Sequence, residues 1–165
     1  MKRIISILME NESGALSRVV GLFSQRGYNI DTLAVAPTDD DTLSRLTLTT
    51  NGDDQMAEQI VKQLHKLIDT IKVVDLTEGP HIERELMLVK IKVSDTDSRT
   101  ELKNCVEIFR GSIIDVTPAT YTVQLAGDSE KLDAFIEAVS QIGIMEVSRS
   151  GVTGISRGDK FIRVN

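Results

Sequence analysis

Cysteine is nearly absent from this chain, with Cys105 the only one in 165 residues. A lone thiol excludes an intrachain disulfide framework and suits a reducing compartment, so the expected location is cytoplasmic. Tryptophan is missing altogether, and two Tyr and four Phe make up the whole aromatic set. So few rings leave little for nucleic-acid bases to stack on. Positive charge is in the minority, 19 Lys and Arg against 25 Asp and Glu, for a formal net charge of −6. Such a chain repels a polyanion on average, and no dense Lys/Arg cluster reverses this locally, so no nucleic-acid partner is expected. Apolar runs fall well short of the roughly 20 residues a membrane helix needs, and no membrane partner is expected either. The opening MKRIISILMENES has a basic start but lacks a small-residue cleavage site, and it reads as mature sequence rather than a signal peptide.

The usual tools of catalysis are also scarce. There is no G-x-x-x-x-G-K-[ST] phosphate loop, G-x-G-x-x-G fingerprint, C-x-x-C or H-E-x-x-H. GISRGDK, near the C-terminus, holds glycine and basic residues but precedes no long helix. His65 lies in a helical pattern beside Lys66, and His81 lies in a polar stretch; both suit surface positions better than metal ligation. Cys105, in LKNCVEIF, has no adjacent cation cluster to activate it and reads as a small buried hydrophobe. The carboxylates of TDDD and EGPHIERE lack EF-hand spacing. No catalytic residue and no metal ligand is assigned, and a non-enzymatic role is expected.

What is present is a regular alternation of periods. Residues 3–9 are Ile-rich and read as a strand. Residues 14–26 carry Leu16, Val19, Val20 and Phe23 at the i, i+3, i+4, i+7 spacing of a helix, and Gly27 suits its C-terminal stop. Strands are predicted over 29–36 and 42–50, and a helix over 54–68 with Met56, Ile60, Leu64 and Leu67 inward. A closing strand covers 71–76. Gly79-Pro80 then breaks the pattern. The same order returns: strand 85–93, helix 97–109, strands 112–116 and 120–126, helix 128–142 with Leu132, Phe135, Ile136 and Val139 inward, and strand 144–152. SRTELK, 98–103, has helix-start chemistry.

The halves echo each other in letters as well. RGYNID at 26–31 resembles RGSIID at 110–115, and NGDDQMAEQI at 51–60 resembles AGDSEKLDAF at 126–135. The repeat is too long for a solenoid unit and suits tandem small domains. The expected fold is therefore α+β: two tandem ferredoxin-like βαββαβ units, residues 1–77 and 84–165, joined by a linker at 78–83. First strands that are apolar on both faces, IISIL and LMLVKIKV, predict a bare sheet face that another copy or another protein covers.

The junction between the first strand and helix, ENESGAL, is more elaborate than a connector requires. A helix N-terminus offers unpaired N–H groups and partial positive charge, where a carboxylate docks. Ser13 is placed to cap, Gly14 admits close approach, Asn11 offers both donor and acceptor, and Leu16 offers apolar surface. These parts suit a small amino acid. The plainer reading is an ordinary capped helix start after a turn, and the residues alone favour it; the same holds for Asn29 in YNID.

The run MENESGALSRVVGLFSQRGYNIDTLAVAPTDDDTLSRLTLTT resembles the ACT domain that opens the regulatory (small) subunits of acetohydroxyacid (acetolactate) synthase. QLHKLIDTIKVVDLT, HIERELMLVKI, EIFRGSIIDVTPATYTVQLAGDSEKLDAF and RSGVTGISRGDK are similar to the rest of that subunit, so the resemblance spans nearly the whole chain. It implies an N-terminal ACT domain followed by an ACT-like domain, a homodimer paired through the ACT domains, and valine as effector at their interface. It further implies a non-catalytic subunit that activates a separate large catalytic subunit and confers feedback inhibition in branched-chain amino-acid biosynthesis. Thiamine diphosphate, magnesium and FAD would belong to that partner, with no cofactor in this chain. Carried onto these residues, the effector site is Asn11, Ser13, Gly14, Ala15 and Leu16, with Gly14 and Ala15 N–H groups on the carboxylate, faced by Asn29 and Ile30 of the second copy. The alternative is a free-standing ACT-type amino-acid sensor acting on another enzyme. VSDTDSRTEL, the second half's counterpart of the loop, lacks N-x-x-G and is not expected to bind the same ligand. The basic tail, with Arg149, Arg157, Lys160 and Arg163, reads equally as a solvated end or a docking surface.

Overall fold

The computed structural model describes residues 1–164. The chain forms two units: residues 1–83 together with 151–164, and residues 84–150. In the first, the elements are β1 (Lys2–Glu10), α1 (Ala15–Gln25), β2 (Thr32–Pro37), β3 (Leu43–Asn51), α2 (Asp54–Leu64) and β4 (Thr70–Asp75). The sheet is antiparallel in the order β2-β3-β1-β4. Alternation along β1 sends Ile5, Ile7 and Met9 to one face, where they meet Val19 and Phe23 of α1 and Ile60 and Leu64 of α2. Fully burying each such side chain is worth roughly 1.5–3 kcal/mol, so this face sets the register.

The helices end sooner than their apolar periodicity. α2 stops at Leu64, because Lys66 and Leu67 donate to Gln63 and Leu64 carbonyls in tight i→i+3 turns, 3.1 Å each. Ile68, expected within the helix, is 87% exposed. The helix start was legible: the Asp53 carboxylate accepts from the Met56 N–H at 2.8 Å. At the far end of the sheet, buried Arg3 pairs with Asp54 at the start of α2 and with buried Asp75 at 3.5 Å.

The second unit repeats the order: β5 (His81–Lys92), α3 (Thr96–Ile108), β6 (Ser112–Val116), β7 (Thr120–Gly127), α4 (Ser129–Val139) and β8 (Ile144–Arg149). Its sheet runs β6-β7-β5-β8, the same topology as the first. Met87, Val89 and Ile91 are buried under Leu102, Val106, Leu132 and Phe135, and the Phe109 and Phe135 rings meet edge to face at 5.4 Å. α3 starts on a capping box, Ser98 N–H to Asp95 Oδ1 at 2.7 Å and Asp95 N–H to Ser98 Oγ at 3.2 Å. Half-buried Cys105 packs against this core. The outward residues Leu86 and Leu88 of β5 stay partly exposed, so burial on both faces holds for β1 and not for β5.

Two boundaries differ from the sequence reading. Residues 78–83 are not a free linker. Leu76–Glu78 is a 3-10 turn capped by Asp75, and His81 already begins β5. The strand expected over 144–152 stops at Arg149. The chain turns at Gly151, φ 83°, and forms β9 (Thr153–Ser156), which pairs with β5. The C-terminal segment thus belongs to the first unit. Val152 is buried with Ile4 and Leu76, on the sheet face that was expected to be bare. Gly151 just before the buried Val152, and Gly154 two residues after it, leave no side chain to hold the segment off the sheet.

Candidate functional site: the junction between β1 and α1

β1 is anchored at its exit: the Glu10 N–H donates to Asp69 O at 2.9 Å and the Asn11 N–H to Thr42 O at 2.8 Å. The Asn11 side-chain amide donates to Asp41 O at 2.9 Å, which leaves its Oδ1 as a free-standing acceptor on the exposed side. Ser13 does not cap the helix. Residue N-cap is Gly14, in the left-handed region at φ 85°, and no side chain bonds the first turn. A capping side chain needs extended backbone to fold back over the helix end, whereas Gly14 closes a tight turn in which the Ala15 N–H donates to Glu12 O at 3.2 Å. That N–H, expected to face a ligand, is engaged, and the Ala15 side chain is buried. Among the described residues, the N–H groups of Gly14, Leu16 and Ser17 have no acceptor, so the anion-binding end survives one residue to either side.

Two residues that the sequence did not single out complete the junction. Arg18, one turn above Gly14, donates through Nε to buried Asp69 at 2.5 Å, and this bond holds its guanidinium above its ordinary range. Its Nη1 would lie 3.1 Å from a side chain built at Gly14. Asp69 shares its neighbourhood with Glu10 and Glu12, their carboxylate oxygens within 4.8 Å of one another, and Arg18 is the counter-charge. Arg18 was visible as i+4 from Gly14; Asp69, at the entry to β4, gave no local signal.

The other candidates lie elsewhere. The Asn29 amide donates to Asp31 Oδ1 at 2.6 Å and Asn51 donates to Asp31 Oδ2 at 2.7 Å, while the Thr50 hydroxyl donates to Asn29 O at 2.6 Å. Ile30 is half-buried against the core. The register separates these groups from the junction: Asn11 bonds to Thr42, whereas Asp31 N–H bonds to Thr49 O at 2.8 Å. Seven strand steps at about 3.4 Å put roughly 24 Å between the two ends of β3. One copy therefore does not bring Asn11 and Gly14 together with Asn29 and Ile30. Nor does the groove of about 480 Å³ along α1 contain them; of the candidate residues it takes only Gly14, beside Arg18, Gln25 and Leu67. Leu16 and Val20, 37% and 39% exposed, lie on the opposite flank of α1 at about 100° per residue. That flank leads to the edge strand β2, where Val35 is 43% exposed.

A βαββαβ unit with a glycine-hinged first junction and an open β2 edge defines the ACT class. Residues 5–72 match the family model described as the AHAS small subunit-like ACT domain, and residues 84–158 match the one described as the small subunit of acetolactate synthase. The chain belongs to the acetolactate synthase small-subunit family. It is 63% identical over 164 residues to the acetolactate synthase isozyme 3 small subunits of Salmonella typhimurium and Escherichia coli K12, covering 99% of this chain and 100% of each. It is 58% identical to the small subunit of Haemophilus influenzae, over 98% of this chain and 99% of that one. The crystal structure of the Thermotoga maritima small subunit superposes with a TM-score of 0.87 at 34% identity, covering 97% of this chain and 99% of that chain. Among the described residues no helix is long and apolar enough to cross a membrane.

Proposed function

We propose that this chain is a cytoplasmic, non-catalytic regulatory subunit that activates the large catalytic subunit of an acetolactate synthase and makes it sensitive to valine. Two copies pair side by side through their β2 edges, and valine binds across the seam. The observation that carries this reading is the separation of the candidate residues to opposite ends of one sheet. A two-fold pairing of antiparallel β2 edges sets the Asn11–Leu16 end of one copy against the Asn29–Ile30 end of the other. The exposed strip of Leu16, Val20 and Val35 is apolar surface that such a pairing buries.

Each group then has a role fixed by its chemistry. The unpaired N–H groups around Gly14 take the carboxylate. Oδ1 of Asn11 and of the second copy's Asn29 accept from the ammonium, since the amide nitrogens of both are already bonded. Leu16 and Ile30 contact the isopropyl group, and Ala15 supports the turn from beneath. Thiamine diphosphate, magnesium and FAD are assigned to the catalytic subunit and none to this chain. Inhibition requires valine to bind two states of the complex unequally; the state it favours is the one with the seam closed.

Calorimetric titration of the purified chain with valine tests this, with Asn11→Ala alongside and valine inhibition of the reconstituted synthase as the second readout. Saturable binding that weakens by roughly tenfold in the variant is expected, the worth of one hydrogen bond to a charged group. Binding that is unchanged by Asn11→Ala removes the junction from the site.

A further inference from the structure

The return segment of the first unit touches the strand that the proposed seam depends on. Gly151, buried and left-handed at φ 83°, lies so close to β2 that a side chain built on it would sit 3.1 Å from Leu33 O and 3.3 Å from Leu33 C. Only glycine meets both conditions, positive φ and backbone approach. From there the segment is fastened along the sheet. Val152 is 1% exposed, packed with Ile4 of β1 and with Leu76. A side chain on Gly154 would overlap Leu76 Cδ1 at 2.9 Å and crowd Ile82 O at 3.2 Å. Arg45 of β3 bridges the layers, donating through Nε to Ser6 Oγ and through Nη2 to Gly154 O, each at 2.8 Å. Among the described residues Arg45 pairs with no carboxylate, and its charge strengthens those two bonds. Beyond β9 the Arg157 N–H donates to Pro80 O at 2.9 Å.

In its other contacts β2 is held from one side: it pairs with β3, Leu33 packs on the core, and the Thr32 and Thr49 hydroxyls bond at 2.7 Å. It is an edge strand paired on one side with β3 alone, and none of its residues is fully buried. From this we infer that Gly151–Ser156 is an internal strut that fixes β2, with Gly151 and Arg45 as positioning residues for the seam. The inference deepens the function proposed above and rests on it for the seam, but the strut's hold on β2 is measurable without valine, by comparing variants at one protein concentration. In this arrangement the strut sets how well ordered β2 is before two copies meet, and so sets the effector affinity of a site that neither copy completes alone.

Hydrogen exchange of residues 32–37 in the full chain tests this in Gly151→Ala, Arg45→Met and Gly158→Ala. Gly158 is the control: it is also left-handed, at φ 73°, but nothing lies within 4 Å of a side chain there. All three proteins are checked for retained cooperative melting. Gly151→Ala is expected to speed exchange across 32–37 by roughly tenfold, the equilibrium worth of a left-handed non-glycine residue, with the same direction in Arg45→Met and wild-type exchange in Gly158→Ala. Valine affinity should fall in step. Wild-type exchange at 32–37 in Gly151→Ala, or equal acceleration in Gly158→Ala, overturns the strut. If Gly151→Ala does not fold, Arg45→Met decides by the same measure. Should the wild-type chain bind no valine, the proposed function fails while the exchange result still decides the strut.

Discussion

At the scale of single residues, charge is arranged so that one cation serves several anions. Arg18 is the counter-charge for Asp69, which is 4% exposed, and it stands beside Glu10 and Glu12. Its own titration is displaced upward by the Asp69 hydrogen bond, so the contribution of this bond is fully present below the ordinary arginine range and is lost only above it. Across neutral and acid pH the Arg18 charge is therefore constant. Arg18→Met removes it and leaves three clustered carboxylates that repel one another. The variant should be less stable than the wild type at about pH 7, and the gap should narrow as salt screens the repulsion; urea unfolding at low and high ionic strength measures it. A gap independent of salt would mean that Arg18 acts by packing alone. Sequence reasoning reached Gly14 and Asn11 because their chemistry is local to a helix start. It missed Asp69 because that partner is 51 positions from Arg18 and is brought there by the sheet.

Elements show the same division between local and distant causes. The start of α2 was readable, since NGDD supplies Asp53, whose carboxylate takes the N–H three residues on; α1 was not, because Gly14 stands where Ser13 was expected to cap. The end of α1 was readable at Gly27, but those of α2 and α4 were not, because the apolar period continues through turns that already leave the helix, as at Ile68. The repeated RG letters illustrate how an echo misleads at this scale. After α1, Gly27 holds the left-handed position at φ 69° and the Tyr28 N–H closes the helix on Phe23 O at 2.9 Å. After α3 the left-handed residue is Arg110, φ 57°, and the Gly111 N–H closes on Val106 O at 2.8 Å. The letters align, but the caps are offset by one residue. Gly111 is retained for a different reason: a side chain there would meet Gln124 O at 3.0 Å. Arg110→Gly is consequently expected to stabilise the chain by about 0.5–1 kcal/mol, the left-handed penalty less the added entropy of glycine in the unfolded state. Thermal or urea unfolding checks it, and any loss of stability would mean that the exposed arginine side chain makes a contact worth more than its backbone strain.

For the whole molecule, duplication of the βαββαβ order was legible because two periods alternate in the same sequence twice, whereas the return of residues 151–164 to the first unit was not. Nothing in GVTGIS announces a partner 70 or more positions away; its two buried glycines matter only once Leu33 and Leu76 lie against them. The most consequential expectation at this scale concerns symmetry. If each effector site takes Asn11 from one copy and Asn29 from the other, a two-fold dimer holds two equivalent sites. Asn11→Ala and Asn29→Ala should then each damage both sites when every copy carries the same change. In a mixed dimer the two losses fall on one site, and the other regains a wild-type Asn11 and a wild-type Asn29. Co-expression of the two variants, with distinct tags to isolate the mixed dimer, should restore one wild-type-affinity valine site per dimer by calorimetry. Random assortment without the tags should restore about a quarter of the wild-type capacity, since half of the dimers are mixed and each has one intact site of two. A site built within a single copy predicts no recovery in either preparation, so complementation separates a shared site from a private one without reference to how the catalytic subunit responds.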